Sequence, residues 1–470
     1  MKLKNYLPLA VASLAMVACN NDDEIVNGPD LNGPKAYAAV SITLPGMGTR
    51  AATDPSGDNN ALATERGISS VTLYVKDNNP ITIPVTDFTW SSGKGTAKAA
   101  YEVIGSPEDT KPAYVVINQV EPTGIPMQWK YFGQTNPLVY NNLVSKLTKD
   151  DMFTMFSKAE ATVKLKDTPE NAKTEAVEIT VQRAAAKVLV KDDKGYLDGD
   201  VAVTNGQGVI VKNTLKWYIG NSNRSLFCTP QTNNEDPNYI FESKDWDEYW
   251  KDYEQLSDKT GGWRTLDGGG TALTRLIPIA AKAVTSSSAT NANVLYCNEN
   301  TNNEYKVSNT TYVLLQAQFV PTKLMNSEIG GTADVPTAPS EGLVDGSTVK
   351  GQTFYVHEAS GFYFTASGKA AYEAKFGAST GKFFEYKDAM CYYRINLKDA
   401  AKNLGVLRNH YYTMAIGDIK GLGSWTDPTN PVNPNIPDPD EPAEPENAQV
   451  AVNIVVEPWT ATDMGTVSPL

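Results

Sequence analysis

What most constrains this chain is a period of two in its apolar residues. Ala36, Ala38, Val40, Ile42 and Leu44 alternate with Tyr37, Ala39, Ser41 and Thr43, which puts one apolar row along one side of an extended segment. Comparable runs follow at 69–76, 112–119, 176–182, 185–191, 209–218, 311–319, 353–357, 391–397 and 410–416. Gly, Asn and Pro stand between them and supply the turns. Helical spacing is confined to 139–158 and 244–256. Many short strands with few helices predict an all-β chain of β-sandwiches. At 470 residues there is room for two or three domains. The boundary is expected near 183, where a charged strand start, Gln182-Arg183, follows a complete set of strands.

The charge balance narrows the partners. Lys and Arg number 41 against 54 Asp and Glu, a formal charge of -13, which argues against nucleic acid because phosphate contacts need a basic face. Only His357 and His410 are available for imidazole chemistry, and neither stands in a Ser or Cys nucleophile motif. There is no HExxH or GxSxG, and the glycines near Lys369 and Lys382 have the wrong spacing for a phosphate loop. Asp192, Asp193, Asp198 and Asp200 lack the spacing and closing Glu of a calcium hand and read as a solvated turn. The expectation is a protein that is not an enzyme, with no catalytic residues, no metal and no cofactor.

The first residues read as an address. Lys2 and Lys4 precede an apolar stretch at 6–18 that is too short to span a bilayer. It ends in Met16-Val17-Ala18-Cys19, which resembles the lipobox of bacterial lipoproteins. The resemblance implies a signal peptide over 1–18 and lipid, palmitate included, on Cys19. An ordinary secretory signal with an incidental cysteine is the plainer alternative. The acidic run at 20–24 resembles the surface-export signal of Bacteroidetes lipoproteins. With Cys19 set aside, Cys228, Cys297 and Cys391 allow at most one disulfide and otherwise read as buried thiols; their pairing stays open.

The two ends of the chain are complementary. Residues 426–447 form a Pro-rich, acidic linker, for which an extended polyproline conformation is expected. Beyond it Val450, Val452, Ile454 and Val456 share one face of a strand that ends at Trp459. Near the other end the first strand is followed by a Gly- and Asp-rich loop that contains Arg50. A protease cutting between Arg50 and Ala51 would leave the first strand held by non-covalent contacts alone. Its departure would expose an apolar groove flanked by unpaired backbone groups, which the C-terminal strand of another copy could fill. Four buried aliphatic side chains contribute about 1.5–3 kcal/mol each. A donor at one end and an acceptor at the other is a heterologous contact, which grows filaments. Arg66 is the nearby alternative for the cut, disfavoured because it lies closer to the strand at 69–76.

In this order the AVSITLP strand, the Arg50-Ala51 junction, RAAAKVLV at 183–190, LYCNENT at 295–301, LRNHYYTMAI at 407–416 and VNIVVEPW at 452–459 resemble the fimbrillins. These are the major shaft subunits of the type V pili of Bacteroidales, and the resemblance is to the minor-fimbria branch. It implies two transthyretin-like β-sandwich domains with a few short helices. The expected layout is a signal peptide at 1–18, a propeptide with the displaced strand at 19–50, an N-terminal sandwich at 51–182 and a C-terminal sandwich at 183–425. The linker at 426–447 and a donor-strand region at 448–470 complete it. The resemblance further implies lipidation of Cys19, cleavage between Arg50 and Ala51 by an Arg-specific protease, and displacement of Ala36, Ala38, Val40, Ile42 and Leu44. Val450, Val452, Ile454, Val456 and Trp459 would belong to the donor strand, although the last residues, 460–470, could make the contact instead. The implied partners are other copies in a head-to-tail homopolymer, accessory fimbrial subunits and, before cleavage, the outer membrane. The implied place is a fimbrium on the outer-membrane surface, where it would support adhesion.

Two further readings compete. A fimbrial anchor would keep its lipid, and a tip subunit would lack a usable donor strand. From another class, Trp246, Tyr249, Trp250 and Tyr253 share one helical face with Trp263 nearby, a pattern that could stack on sugars in a surface glycan-binding lipoprotein. The same face could equally dock the helix on a sheet.

Overall fold

The computed structural model describes residues 33–44, 65, 67–91, 94–120, 139–141, 144–148, 152–231, 234–266, 269–378, 381–399, 404–430, 438–443 and 449–459. The expected signal peptide, Cys19, Arg50, Ala51 and residues 460–470 lie outside them. Among the described residues the chain is all-β, arranged as two β-sandwich domains, and the α-helices run only from four to eleven residues.

The N-terminal sandwich is organised around β1 (Lys35–Ala38), β2 (Val40–Thr43), β3 (Lys94–Ala97), β4 (Tyr101–Ile104) and β5 (Val177–Arg183). Its main sheet runs in the order 81–83, 71–75, 110–117, 155–157, β5, β2, β3, 88–91, with 161–164 also on 110–117. The sequence reads 36–45 as one strand, but the structure divides it at Ala39. β1 pairs antiparallel with β4, and β2 then enters the main sheet. A strand that changes sheets makes a corner of a sandwich and ties its two layers together.

The C-terminal sandwich contains β6 (Ala185–Asp192), β7 (Val294–Asn298), β8 (Tyr312–Pro321), β9 (Met390–Asn396), β10 (His410–Ile419) and β11 (Val450–Pro458). One sheet has the order β7-β6-β10-β11. The other is built on β8, which pairs with 208–210 and 216–220 and with β9. Val188, Val190, Trp217, Leu315, Phe319, Tyr412 and Met414 fill the space between them. The two domains close alike, because β2 runs parallel to β5 and β6 runs parallel to β10. In each, an early strand lies beside a late one.

Only Ala184 separates β5 from β6, and it is fully buried. The N-terminal core continues through Ala185, Leu189, Val294, Tyr411 and Trp459 of the second sandwich. Shared apolar packing of this kind fixes one domain against the other, where a polar interface would let them move.

Tertiary packing overrides the sequence pattern in three places. Among the described residues the helical spacing at 139–158 yields the helix Val144–Leu147, and Met155–Ser157 is a strand between 110–117 and β5. The run 209–218 splits into Gly208–Ile210 and Lys216–Gly220, both paired with β8. Of the segment 244–256, α1 (Trp246–Asp252) is helical. The longest helix, α2 (Ala366–Phe376), has no sequence counterpart, because Tyr372 and Phe376 are its only large apolar residues. The Thr365 hydroxyl caps it by accepting from the Gly368 amide at 3.0 Å. Gly368 is required there, since a Cβ would lie 1.9 Å from the Met325 carbonyl oxygen. This helix and the sheet of 323–325, 343–345, 354–357, 363–364 and 383–386 form an excursion between the directly paired β8 and β9.

Candidate assembly site

Along β2 the neighbours are β5 on one edge, parallel, with Val40 opposite Val177 and Thr43 opposite Thr180, and β3 on the other, antiparallel, with Ile42 opposite Gly95. Both edges are therefore paired, and the strand is interior to the sheet. Ala36, Ala38, Val40, Ile42 and Leu44 are all buried in the N-terminal core. The intervening Ala39, Ser41 and Thr43 are buried too, so the alternation separates apolar from small polar side chains, not buried from exposed. The polar row is satisfied locally. The Thr43 hydroxyl donates to Glu178 at 2.6 Å, and Glu178 also pairs with Lys94. These contacts hold the Glu178 carboxyl below its ordinary range, with the Lys94 ammonium the largest influence.

Among the described residues β11 is an edge strand, held along one side by β10 from His410 opposite Pro458 to Ile416 opposite Val452, then past an irregularity to Ile419 opposite Val450. Val450 and Trp459 are buried, and Val452, Ile454 and Val456 pack partly against the C-terminal core. Val455 points the other way and is 46% exposed. Four of the five residues expected in a donor strand, Val450, Val452, Ile454 and Val456, thus lie in this chain against its own C-terminal sandwich, and Trp459 packs in the core it shares with the N-terminal one.

The described parts of the Pro-rich linker are docked on the protein. Asp427 is fully buried and accepts from the Thr429 amide at 3.0 Å, Ser257 at 3.1 Å and the Tyr312 hydroxyl at 3.2 Å. Burial pushes its carboxyl pKa up. Further on, the Val307 amide donates to Glu441 and the Ala443 amide to Tyr305. Proline lacks an N–H, but its neighbours keep theirs, which suffices for an extended strap to be held.

Glu65 and the C-terminal end of the described chain meet at the seam between the sandwiches. Glu65, Lys187 and Trp459 have no exposed surface and Arg183 has 1%. The Glu65 carboxylate pairs with Lys187 at 2.9 Å and accepts from the Tyr296 hydroxyl at 2.7 Å and the Trp459 indole N–H at 3.0 Å. The Arg183 guanidinium lies 4.5 Å from the Trp459 ring centroid and donates to its carbonyl at 3.2 Å. Phe153 meets that ring edge-on and Tyr296 stacks on it. Burial, with Glu65 adding to it, pushes the Tyr296 hydroxyl pKa far up. Sequence spacing could not have brought Glu65 and Lys187 together, as they lie 122 residues apart. The available hint was a lysine and an arginine inside the apolar run RAAAKVLV.

The aromatic helix face is largely packed. Tyr249 and Tyr253 are buried, and Trp250 carries the Arg224 and Arg264 guanidiniums at 4.9 and 4.6 Å from its ring centroid. Trp263 tilts against Tyr392. His410 Nδ1 lies 2.9 Å from the Arg408 carbonyl and His357 Nδ1 2.9 Å from the Ser360 hydroxyl. Cys228, Cys297 and Cys391 are buried free thiols, and burial raises the pKa of Cys391 to about 11.

Residues 384–464 match the family model of the fimbrillin C-terminal region, described as major fimbrial subunit protein type IV. That segment covers β9, β10, the docked strap and β11. No curated protein sequence matches the chain. Among solved structures it is similar to a protein of Parabacteroides distasonis assigned to cell adhesion, at 14% identity and a TM-score of 0.43, over 91% of this chain and 99% of that one. It is similar to a fimbrilin of Porphyromonas gingivalis at 15% identity and a TM-score of 0.38, over 91% and 99%. The tip fimbrial protein Mfa3 of the same organism gives 11% and 0.33, over 91% and 100%.

Proposed function

We propose that this chain, which belongs to the fimbrillins by its C-terminal region, is the shaft subunit of its fimbria and polymerises by strand exchange. The fimbrillins are structural, non-enzymatic subunits, so the chemistry at issue is assembly. One observation carries the reading. β2 is an interior strand, and in sequence the Arg50-Ala51 bond lies between it and the next described residue, the buried Glu65.

In this reading the chain is exported as a lipoprotein through Cys19 and reaches the outer-membrane surface. An Arg-specific protease then cuts between Arg50 and Ala51. The strand carrying Ala36, Ala38, Val40, Ile42 and Leu44 loses its covalent hold and departs. It leaves β5 and β3 with unpaired backbone groups on either side of an apolar floor, and no folded protein tolerates such a groove unfilled for long. The C-terminal region of a neighbour, 448–470, supplies the replacement. Val450, Val452, Ile454, Val456 and Trp459 are paired and partly buried in their own chain, which supports a contact made chiefly by residues 460–470, with β11 as its rooted base. Accessory fimbrial subunits would close the polymer.

N-terminal sequencing of protein sheared from cells tests this. A start at Ala51 is expected. A lipidated Cys19 as the only species would replace the shaft reading with the anchor reading, in which β2 never leaves.

A further inference from the structure

We infer that Glu65 and Lys187 are joined by an isopeptide bond, an amide that forms between their side chains after folding and staples the N-terminal sandwich to the second one. Both side chains are fully buried. Lys187 projects from β6, interior to its sheet, where its cross-strand neighbours are Tyr296 on β7 and Tyr411 on β10. Its Nζ lies 4.5 Å from the Tyr411 ring centroid and 5.7 Å from that of Trp459. The amine faces the Glu65 carboxyl, 2.9 Å from Oε1 and 3.1 Å from Oε2. A nitrogen this near to both oxygens stands within about 3–3.5 Å of the carbon between them, the separation of a near-attack pair.

The carboxyl is held for that attack. Oε1 accepts from the Tyr296 hydroxyl at 2.7 Å and Oε2 from the Trp459 indole N–H at 3.0 Å. The Glu65 backbone carbonyl accepts from Arg183 at 3.4 Å, which fixes the main chain behind it.

Two opposite charges are costly to bury, and passing one proton from the ammonium to the carboxylate replaces them with a neutral amine and a neutral acid. The amine lone pair then adds to the carboxyl carbon. A C–N bond forms, and the Tyr296 and Trp459 donors hold the negative charge that builds on oxygen. A C–O bond breaks, and the hydroxyl leaves with a proton from nitrogen as water. No oxidant, reductant or co-reactant is consumed. Burial then keeps bulk water from hydrolysing the amide.

Glu65 and Lys187 lie 122 residues apart, so the bond closes a loop around the rest of the N-terminal sandwich. β1 and β2 precede Glu65 and stay outside that loop, so the staple persists whether or not they depart. Tension between the two domains is then carried by a covalent bond as well as by the packing of the seam.

Intact-mass spectrometry of the full chain, folded and then denatured in guanidinium chloride, tests this, with peptide mapping after trypsin. The wild type is expected to be about 18 Da lighter than its termini dictate, the mass of one water, and to yield a branched peptide linking Glu65 to an uncut Lys187. Lys187→Met is expected at full mass. A wild type at full mass, with Glu65 and Lys187 in separate peptides, overturns the inference and leaves a buried ion pair. A deficit retained by Lys187→Met also overturns it, because the water was then lost elsewhere.

Discussion

Trp459→Ala probes the seam most directly. The indole is fully buried, stacks on Tyr296 at 5.7 Å, meets Phe153 at 5.3 Å and lies under the Arg183 guanidinium. Truncating a buried tryptophan to alanine costs about 3–5 kcal/mol in transfer and cavity terms. The variant also deletes the N–H that Glu65 accepts, and a buried polar group left short of a partner costs about 1–3 kcal/mol. These contributions overlap, so about 4–6 kcal/mol is the working figure. The loss should fall first on β11, because Trp459 closes its C-terminal end while β10 holds only one edge. Native-state hydrogen exchange reads this strand by strand. Each 1.36 kcal/mol is a factor of ten, so amides of β11 should exchange about a thousandfold or more faster. Protection in β6 and β8, both interior to their sheets, should fall far less. Unchanged exchange in β11 would refute the argument, and so would equal losses in β6, β8 and β11. Either outcome would mean that Trp459 does not root the strand separately from its domain.

Other outcomes follow from the same structure. Arg50→Ala is expected to abolish surface fibres and leave a lipidated precursor, read by electron microscopy and N-terminal sequencing; full-length fibres from that strain would sink strand exchange. Ile42→Ala, at a residue with no exposed surface, should destabilise the uncleaved chain by about 2–5 kcal/mol in urea and leave the matured protein unaffected, because β2 has gone. Burial lowers the His357 pKa below its ordinary 6.5. The unfolded chain then takes the proton more readily than the folded one. Stability should be full above about pH 6.5 and fall as acidification passes through the folded-state pKa. His357→Phe should flatten that slope in thermal melts, and an unchanged slope would remove His357 as its cause. With only two histidines in the chain, the imidazole resonances can be followed individually.

Much of the architecture was legible because strands write a period of two into the sequence. The strands at 71–75, 110–117, 177–183, 185–192 and 312–321 lie close to where alternation or continuous apolar runs predict them. α2 was hidden because a helix covered on one narrow face by Tyr372 and a close-packed Gly368 needs little hydrophobic periodicity. The segment around 155–157 carried a helical spacing, yet its place between two long strands offered more ladder hydrogen bonds than an isolated helix could keep. The Pro-rich stretch reads as an extended linker, and what docks it, Ser257 and Tyr312 on Asp427, the Val307 and Ser308 amides and the Tyr305 carbonyl, lies far away in sequence.

By itself the sequence determined the all-β class, the apolar rows at both ends of the chain and the positions of Cys19 and Arg50, since each is written in neighbouring residues. Only the tertiary structure decided what those rows touch. It made β2 an interior strand and β11 an edge strand, although their apolar patterns are alike, and it brought Glu65, Lys187 and Trp459 into one seam. Local side-chain pattern selects a strand and the face it buries. Which neighbours complete its backbone ladder depends on contacts between residues a hundred or more positions apart, and no short-range period encodes these.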